Sequence, residues 1–160
     1  MNNLFLEKNQ VKFGLMADLN AQNAATRTTS RVLVDKGQRV VCIVSNASAA
    51  AAFSISFQQH TVASAGTPAN LEVKLPYFKK LGAATYYTKV AAPSVDAHTV
   101  TDADASGGVS YYVFEFDADS ITDTYKYISA TIADPEAARL SSVEFIVAGD
   151  VLAPMYDKVI

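Results

Sequence analysis

The sequence predicts an all-β protein, an antiparallel β-sandwich or jelly roll with an N-terminal arm and one or two short helical turns. Two observations carry the prediction of strands. Apolar and polar residues alternate in several short segments, as they do in strands that are buried on one face. Turn-forming residues separate these segments. The length of 160 residues suits one domain with a single hydrophobic core.

The predicted strands differ in how strongly they alternate. Early segments, "VKFGL" and "SRVLVD", carry a weak signal. The segment "RVVCIVSN" at 39–46 is apolar on both faces and rich in β-branched residues, which predicts a central strand covered on both sides. The clearest alternation occurs in five later segments: 53–57, 71–75, 112–116, 128–132 and 143–147.

Turns and helical turns are predicted from Asp, Gly and Pro. "DKG" at 35–37 and "DADSITD" at 117–123 each separate two β segments, as hairpin turns would. A helical turn is predicted over 76–82, which begins with proline and ends with glycine. A second is predicted over 134–140, with Asp134 as the N-cap and Pro135 at the first helical position.

The domain organisation predicted is an N-terminal arm and linker over 1–30, followed by one β-sandwich domain over 31–160. The arm contains the apolar residues Phe5, Val11 and Phe13, and the linker "LNAQNAATRTTS" is polar and aperiodic. An apolar arm on a polar tether is expected to add a strand to a sheet edge or to dock on a partner subunit. The alternative is that the segment is the first strand of the sandwich itself.

The composition of the chain restricts the kinds of partner that it can bind. Half of the residues are hydrophobic and only 18% are charged, against about 25% in a typical soluble protein. Such a surface favours association, so we expect a homo-oligomer. The net charge of −3 is scattered along the chain, which argues against nucleic acid because phosphate binding needs a basic stripe. Neither a cleaved signal nor a membrane-spanning segment is expected.

One acidic string is the best metal candidate. Asp102 and Asp104, followed by Ser106 and Gly107, match the first half of a calcium loop. The glutamate required at the twelfth position is replaced by Val113. The sequence therefore favours a plain acidic turn, and no metal is expected.

Catalytic side chains are few. His60 and His98 are the two histidines, and the spacing of Ser94, Asp96 and His98 does not create a triad, which needs residues from separate elements. The single cysteine, Cys42, lies among valines and an isoleucine and is expected to be buried and inert. We expect no enzyme activity and no cofactor.

Three tyrosines are the candidate interface residues within the sandwich. The alternation predicts that Tyr111, Tyr125 and Tyr127 point outward. Outward tyrosines are enriched at protein interfaces, but they also stabilise ordinary cross-strand pairs, and both interpretations stay open. The same rings could stack on sugars or bases.

The order of these segments resembles that of small virion structural proteins of tailed bacteriophages. An N-terminal apolar segment precedes "RVVCIVSN", then come "FSISFQQ", a loop of small residues and "LEVKL". The second half, with "YYVFEFDADSITDTYKYISATI" and "SSVEFIVAGD", is similar in pattern. The resemblance covers most of the chain, and it consists of the order and the general pattern of the segments.

The resemblance implies a non-enzymatic β-sandwich protein located in the virion and assembled in the host cytoplasm. It implies a decoration or cement protein of the head, with the major capsid protein and copies of itself as partners. A head-to-tail or tail component is the first alternative. A carbohydrate-binding module is the second, although the chain has no tryptophan to form a sugar platform.

Overall fold

The fold was analysed in a computed structural model of the chain. It describes residues 9–15, 26–35, 38–48, 53–93, 97–102, 108–117, 121, 124–133 and 140–148. Within these residues there are twelve strands and no helix. The strands are β1 (Asn9–Leu15), β2 (Arg27–Thr28), β3 (Val32–Leu33), β4 (Arg39–Ser48), β5 (Phe53–His60), β6 (Ala69–Asn70), β7 (Tyr77–Lys80), β8 (Thr88–Val90), β9 (Thr99–Asp102), β10 (Gly108–Asp117), β11 (Tyr127–Ile132) and β12 (Leu140–Ala148).

The strands form two antiparallel sheets. The six-stranded sheet has the order β1-β12-β4-β10-β7-β8. The second sheet is built on the path β2-β11-β5-β6, with β3 also paired to β11 and β9 also paired to β5. The predicted all-β antiparallel sandwich is therefore confirmed. The described part of the chain has no helix that is long and apolar enough to cross a membrane.

The core lies between the sheets and follows directly from the alternation. On the six-stranded sheet, Phe114, Cys42 and Phe145 lie side by side in one register row, and all three are fully buried. Phe57 of the second sheet packs against this layer, with its ring centre 5.0 Å from that of Phe114 and 4.8 Å from that of Phe116. Burial of these apolar side chains is the main favourable contribution to folding.

Strand β4 is central, as predicted, but only one of its faces is covered. It pairs with β10 on one side and β12 on the other. Val40, Cys42 and Val44 point into the core and are fully buried. Val41 and Ile43, on the opposite face, are only half-buried. Among the described residues, no strand covers the second face of β4.

The helical turn predicted at 76–82 is wrong, because Tyr77–Lys80 is strand β7. The strand is stabilised by contacts distant in sequence: β7 pairs with β10 and β8. Tyr77 faces the core, Phe78 faces outward, and Lys79 faces inward to an acidic partner described below. The other predicted helical turn starts at Asp134, and residues 134–139 lie outside the described residues; Leu140 begins β12.

Both predicted hairpin turns connect different sheets. The segment at 35–37 leads from β3, in the second sheet, to β4 in the six-stranded sheet. The segment at 117–123 leads from β10 back to β11 in the second sheet. Turn residues mark where a strand ends, but they do not determine which sheet the next strand joins.

The segment predicted as a strand at 71–75 is extended without forming a ladder. Leu71 and Val73 are buried and alternate with more exposed residues, as the sequence predicts. Their amides donate to two different neighbours, Leu71 to the carbonyl of Phe57 and Val73 to that of Ala97. The short strand β6 ends just before this segment, at Asn70.

At the N-terminus, β1 occupies the edge of the chain's own six-stranded sheet. It pairs antiparallel with β12, with Val11 opposite Ile146 and Phe13 opposite Glu144. The register shifts between Phe13 and Leu15. The segment expected to be an aperiodic linker contains the two-residue strand β2, which pairs with β11.

Candidate interaction surface

His60 has a close polar partner, which sequence reasoning missed. Its Nε2 lies 2.8 Å from the hydroxyl oxygen of Ser129, across the β5–β11 ladder. Both side chains are buried. No carboxylate is recorded at this pair, so the third member of a Ser-His-acid triad is missing among the described residues. A serine buried to 1% exposure is also inaccessible to a substrate.

Arg31 binds the loop that follows β5. Its guanidinium donates to the carbonyls of Val62 and Ala65. Ala65 has a positive φ of 62°, an unusual conformation for a residue with a side chain. The arginine thus holds the loop in shape with main-chain hydrogen bonds.

The pKa of His60 is lowered below its ordinary value, first by burial and second by the positive charge of Arg31. His60 Nδ1 has no hydrogen-bond partner among the described residues. Protonation would give this buried nitrogen an N–H without an acceptor. His60 is therefore a neutral structural group at neutral pH.

We expect His60 to make the protein less stable in mild acid. Because its folded-state pKa lies below the unfolded value, the folded chain binds fewer protons. Stability is then lost as the pH falls through the unfolded pKa of about 6.5 towards the folded one. Urea unfolding between about pH 7.5 and about pH 5 measures this loss. His60→Gln should remove this part of the pH dependence, whereas His98→Gln should keep it. An unchanged pH dependence in His60→Gln would contradict the assignment.

The structure does not describe a catalytic triad at residues 94, 96 and 98. His98 lies just before β9, and its carbonyl accepts the amide of Phe57 at 3.0 Å. Ser94 and Asp96 lie outside the described residues. Nothing in the described geometry brings a nucleophile to His98.

Asp102, the metal candidate, forms a polar bridge between the two sheets. Lys79 Nζ donates to both of its carboxylate oxygens, at 3.2 and 3.0 Å, and the Tyr112 hydroxyl donates to one of them at 3.2 Å. Asp102 belongs to β9 in the second sheet, and Lys79 and Tyr112 belong to the six-stranded sheet. Its carboxylate is 5% exposed. Sequence reasoning singled out Asp102 but not its two partners.

Burial and the Asp102 charge raise the pKa values of the neighbouring tyrosines. Burial contributes most to the raised pKa of Tyr112, and the carboxylate adds to it. The same two causes raise the pKa of Tyr77. Both phenols are therefore protonated throughout the physiological range. Among the described residues no cluster of three metal-binding side chains exists, and Asp104 lies outside them.

Cys42 is fully buried in the core, and burial raises the pKa of its thiol. A protonated, inaccessible thiol is not a nucleophile. This matches the expectation from its apolar neighbours in the sequence.

The predicted interface residues do not lie on one surface. Tyr111 lies on the outer face of the six-stranded sheet and Tyr127 on the outer face of the second sheet, and both are half-buried. Tyr125 is half-buried and packs against the core. Val11 and Phe13 take part in the β1–β12 ladder, and Phe5 lies outside the described residues.

The outer face of the six-stranded sheet carries a group of apolar side chains. Strands β4, β7, β10 and β12 present half-buried or exposed hydrophobic side chains there. We call this surface the apolar face, and it consists of Val41, Ile43, Phe78, Tyr111, Val113 and Ile146. Tyr111 is the one candidate from the sequence that belongs to it.

Charges lie both around the apolar face and within it. At one end, Arg39 pairs with Asp117 at 3.4 Å and approaches Glu115 at 3.8 Å. Glu115 lies on β10 and Glu144 on β12, in register with apolar residues of the face. Lys80 and Lys89 lie on β7 and β8 at the opposite side of the sheet. Apolar side chains combined with charged groups are usual in protein–protein interfaces.

The outer face of the second sheet has a different chemistry. Thr28, Thr131, Ser56 and Thr99 lie in one register row across four strands. The hydroxyls of Thr28 and Thr131 share a hydrogen bond of 2.9 Å. This face is polar but uncharged along that row, so it offers hydrogen bonds without electrostatic attraction.

Two further tyrosines, missed in the sequence, project from the loop between β7 and β8. Tyr86 is 79% exposed and Tyr87 is 49% exposed. Neither belongs to an alternating segment, so the pattern that singled out the other tyrosines could not find them. Their adjacency in "TYY" was the one available signal.

The chain matches no protein-family model, no curated protein and no solved structure.

Proposed function

We propose that the chain is a non-enzymatic structural protein of a bacteriophage virion, a decoration or cement protein that binds the capsid shell and stabilises it. The observation that carries the proposal is the apolar face, a β surface with apolar side chains from four strands and few charges. Such a surface suits contacts with other proteins. The location in the virion rests on the resemblance in segment order.

The described ionisable groups support a structural role rather than catalysis. Asp102 and Lys79 neutralise each other inside the sandwich, His60 is buried with Ser129, and Cys42 is in the core. Each of these side chains is paired or buried in a way that stabilises the fold. The remaining charges on the six-stranded sheet lie around a surface that can be covered by a neighbour.

The direct test is to delete the gene from the phage genome that encodes the chain and to purify the particles. Particles with the chain should contain it in many copies, and particles without it should release their DNA at a lower temperature, because the shell has lost bridging contacts. Supplying the wild-type chain in trans should restore heat resistance. Absence of the chain from purified wild-type particles would refute the proposal, and antibody labelling on the tail would replace it with the tail assignment.

A second candidate, carbohydrate binding, is favoured by one observation, the exposed pair Tyr86 and Tyr87. Exposed aromatic rings are suitable stacking surfaces for a sugar. A glycan array probed with the purified chain tests it. A binding signal that Tyr86→Ala removes would support this candidate, and a signal that Tyr86→Ala leaves unchanged, or no signal, would reject the tyrosine pair as a sugar site.

A further inference from the structure

The geometry points to a second copy of this chain as the occupant of the apolar face, in a two-fold dimer whose axis runs parallel to β10. The inference rests on the proposed function only in assigning this face to protein contacts. The argument depends on one row of residues across the six-stranded sheet and on the pattern of β4.

The decisive row crosses all six strands in continuous register. It begins on the edge strand β1 with Phe13, which pairs with Glu144. Glu144 pairs with Ile43, Ile43 with Val113, Val113 with Phe78, and Phe78 with Lys89. From β12 to β8 the row therefore has a negative charge, three apolar side chains and a positive charge. At the usual strand spacing this part of the row is roughly 19 Å long.

The two charges of this row lie outside the ion pairs that the described residues form. Neither Glu144 nor Lys89 forms an ion pair with another described residue. Lys89 is exposed and Glu144 is half-buried. Two opposite charges at equal distance from Val113 make the part of the row from β12 to β8 complementary to its own reversed copy.

Only one orientation of the two-fold axis uses this complementarity. When two sheets pack face to face, the axis lies in the plane between them. An axis parallel to the strands, at β10, reverses the order of the strands, so Glu144 of one copy faces Lys89 of the other. Ile43 then faces Phe78, and Val113 meets its own counterpart. A two-fold axis along the row would instead bring Glu144 of one copy against Glu144 of the other, and Lys89 against Lys89.

The neighbouring residues on β10 are compatible with this axis. Tyr111 precedes Val113 by two residues on the same face, so the two tyrosine rings meet near the axis, where aromatic side chains contribute most to interfaces. Glu115 follows Val113 by two residues, and Arg39 lies 3.8 Å from its carboxylate. The axis therefore does not bring together two carboxylates that lack a counter-charge.

The pattern of β4 independently requires a cover. Its sequence is apolar on both faces, which is typical of strands buried on both sides. The chain itself covers one face and leaves Val41 and Ile43 half-buried. A second copy supplies the missing layer.

Sedimentation velocity of the purified full chain tests the dimer. The wild type should be a dimer at about 50 μM, and Glu144→Lys and Lys89→Glu should each weaken association by at least about tenfold, because each creates two like-charge contacts across the axis. The double variant, with both charges exchanged, should recover the wild-type dissociation constant. Lys126→Glu makes the same charge change away from this face and should have no effect.

A further variant separates assembly from folding. Val113→Lys places two ammonium groups against each other at the axis and should give monomers, with circular dichroism showing that the strands are retained. A monomeric wild type, single reversals without effect, or no recovery in the double variant would each overturn the inference. The particle experiment distinguishes the two proposals. Incorporation of the chain into virions without this dimer would refute only the inference. A dimer that is not incorporated into virions would refute only the proposed function.

Discussion

Replacing Phe57 with alanine is expected to lower the free energy of unfolding by about 3–5 kcal/mol. Phe57 is 1% exposed and is the side chain of the second sheet that meets two rings of the opposite sheet, Phe114 and Phe116, edge to face. Its removal leaves a cavity where the two sheets are in closest aromatic contact. Urea denaturation of the wild type and the variant measures the difference.

The matched control is Tyr86→Ala, which also removes an aromatic ring but from a side chain that is 79% exposed. Its effect should stay within about 0.5 kcal/mol, as for other surface substitutions. A cost below about 1 kcal/mol for Phe57→Ala would contradict the described core, because a fully packed ring cannot be removed so cheaply.

Asp102→Ala is expected to have a comparable cost, about 3–5 kcal/mol, for a different reason. The substitution leaves the Lys79 ammonium, whose side chain is 20% exposed, without its counter-charge, and the Tyr112 hydroxyl without its acceptor. The penalty is the uncompensated charge rather than a lost apolar contact. Thermal or urea unfolding at neutral pH measures it.

Asp117→Ala provides the matched control for Asp102. It breaks an ion pair with Arg39 at the surface, where both side chains are about half exposed, and should cost at most about 1 kcal/mol. The double variant Asp102→Leu, Lys79→Met should recover much of the loss, since apolar replacement of a whole buried pair is often tolerated. If Asp102→Ala were no more costly than Asp117→Ala, the bridge between the sheets would not exist as described.

Much of the fold could be predicted because burial on one face of a strand is recorded locally in the sequence. The alternation of Tyr112, Phe114 and Phe116 predicts their common face without knowledge of any partner. What could not be predicted depends on contacts between distant residues. Lys79 lies between a proline and a glycine that favour a helical turn, but Asp102, 23 residues further on, holds it in a strand.

The same limit applies to the candidate site. The sequence indicates that Tyr111 points outward, because only its own strand is needed for that prediction. The row from Glu144 to Lys89 requires the order of five strands and the register of four ladders. His60 and Ser129 are likewise 69 residues apart and meet only when β5 pairs with β11.

The strand order also determines when the six-stranded sheet can form during synthesis. The last described strand, β12, lies between β1 and β4, which are the first two described strands of that sheet in chain order. β1 therefore has no ladder partner in its sheet until residues 140–148 have been made. The β4–β10 ladder, which joins residues at least 60 positions apart, can form earlier, but it leaves one edge of β4 open to other chains. Closure of such distant pairs is slow, so the nascent chain carries an unpaired edge at least until residues 140–148 have been made.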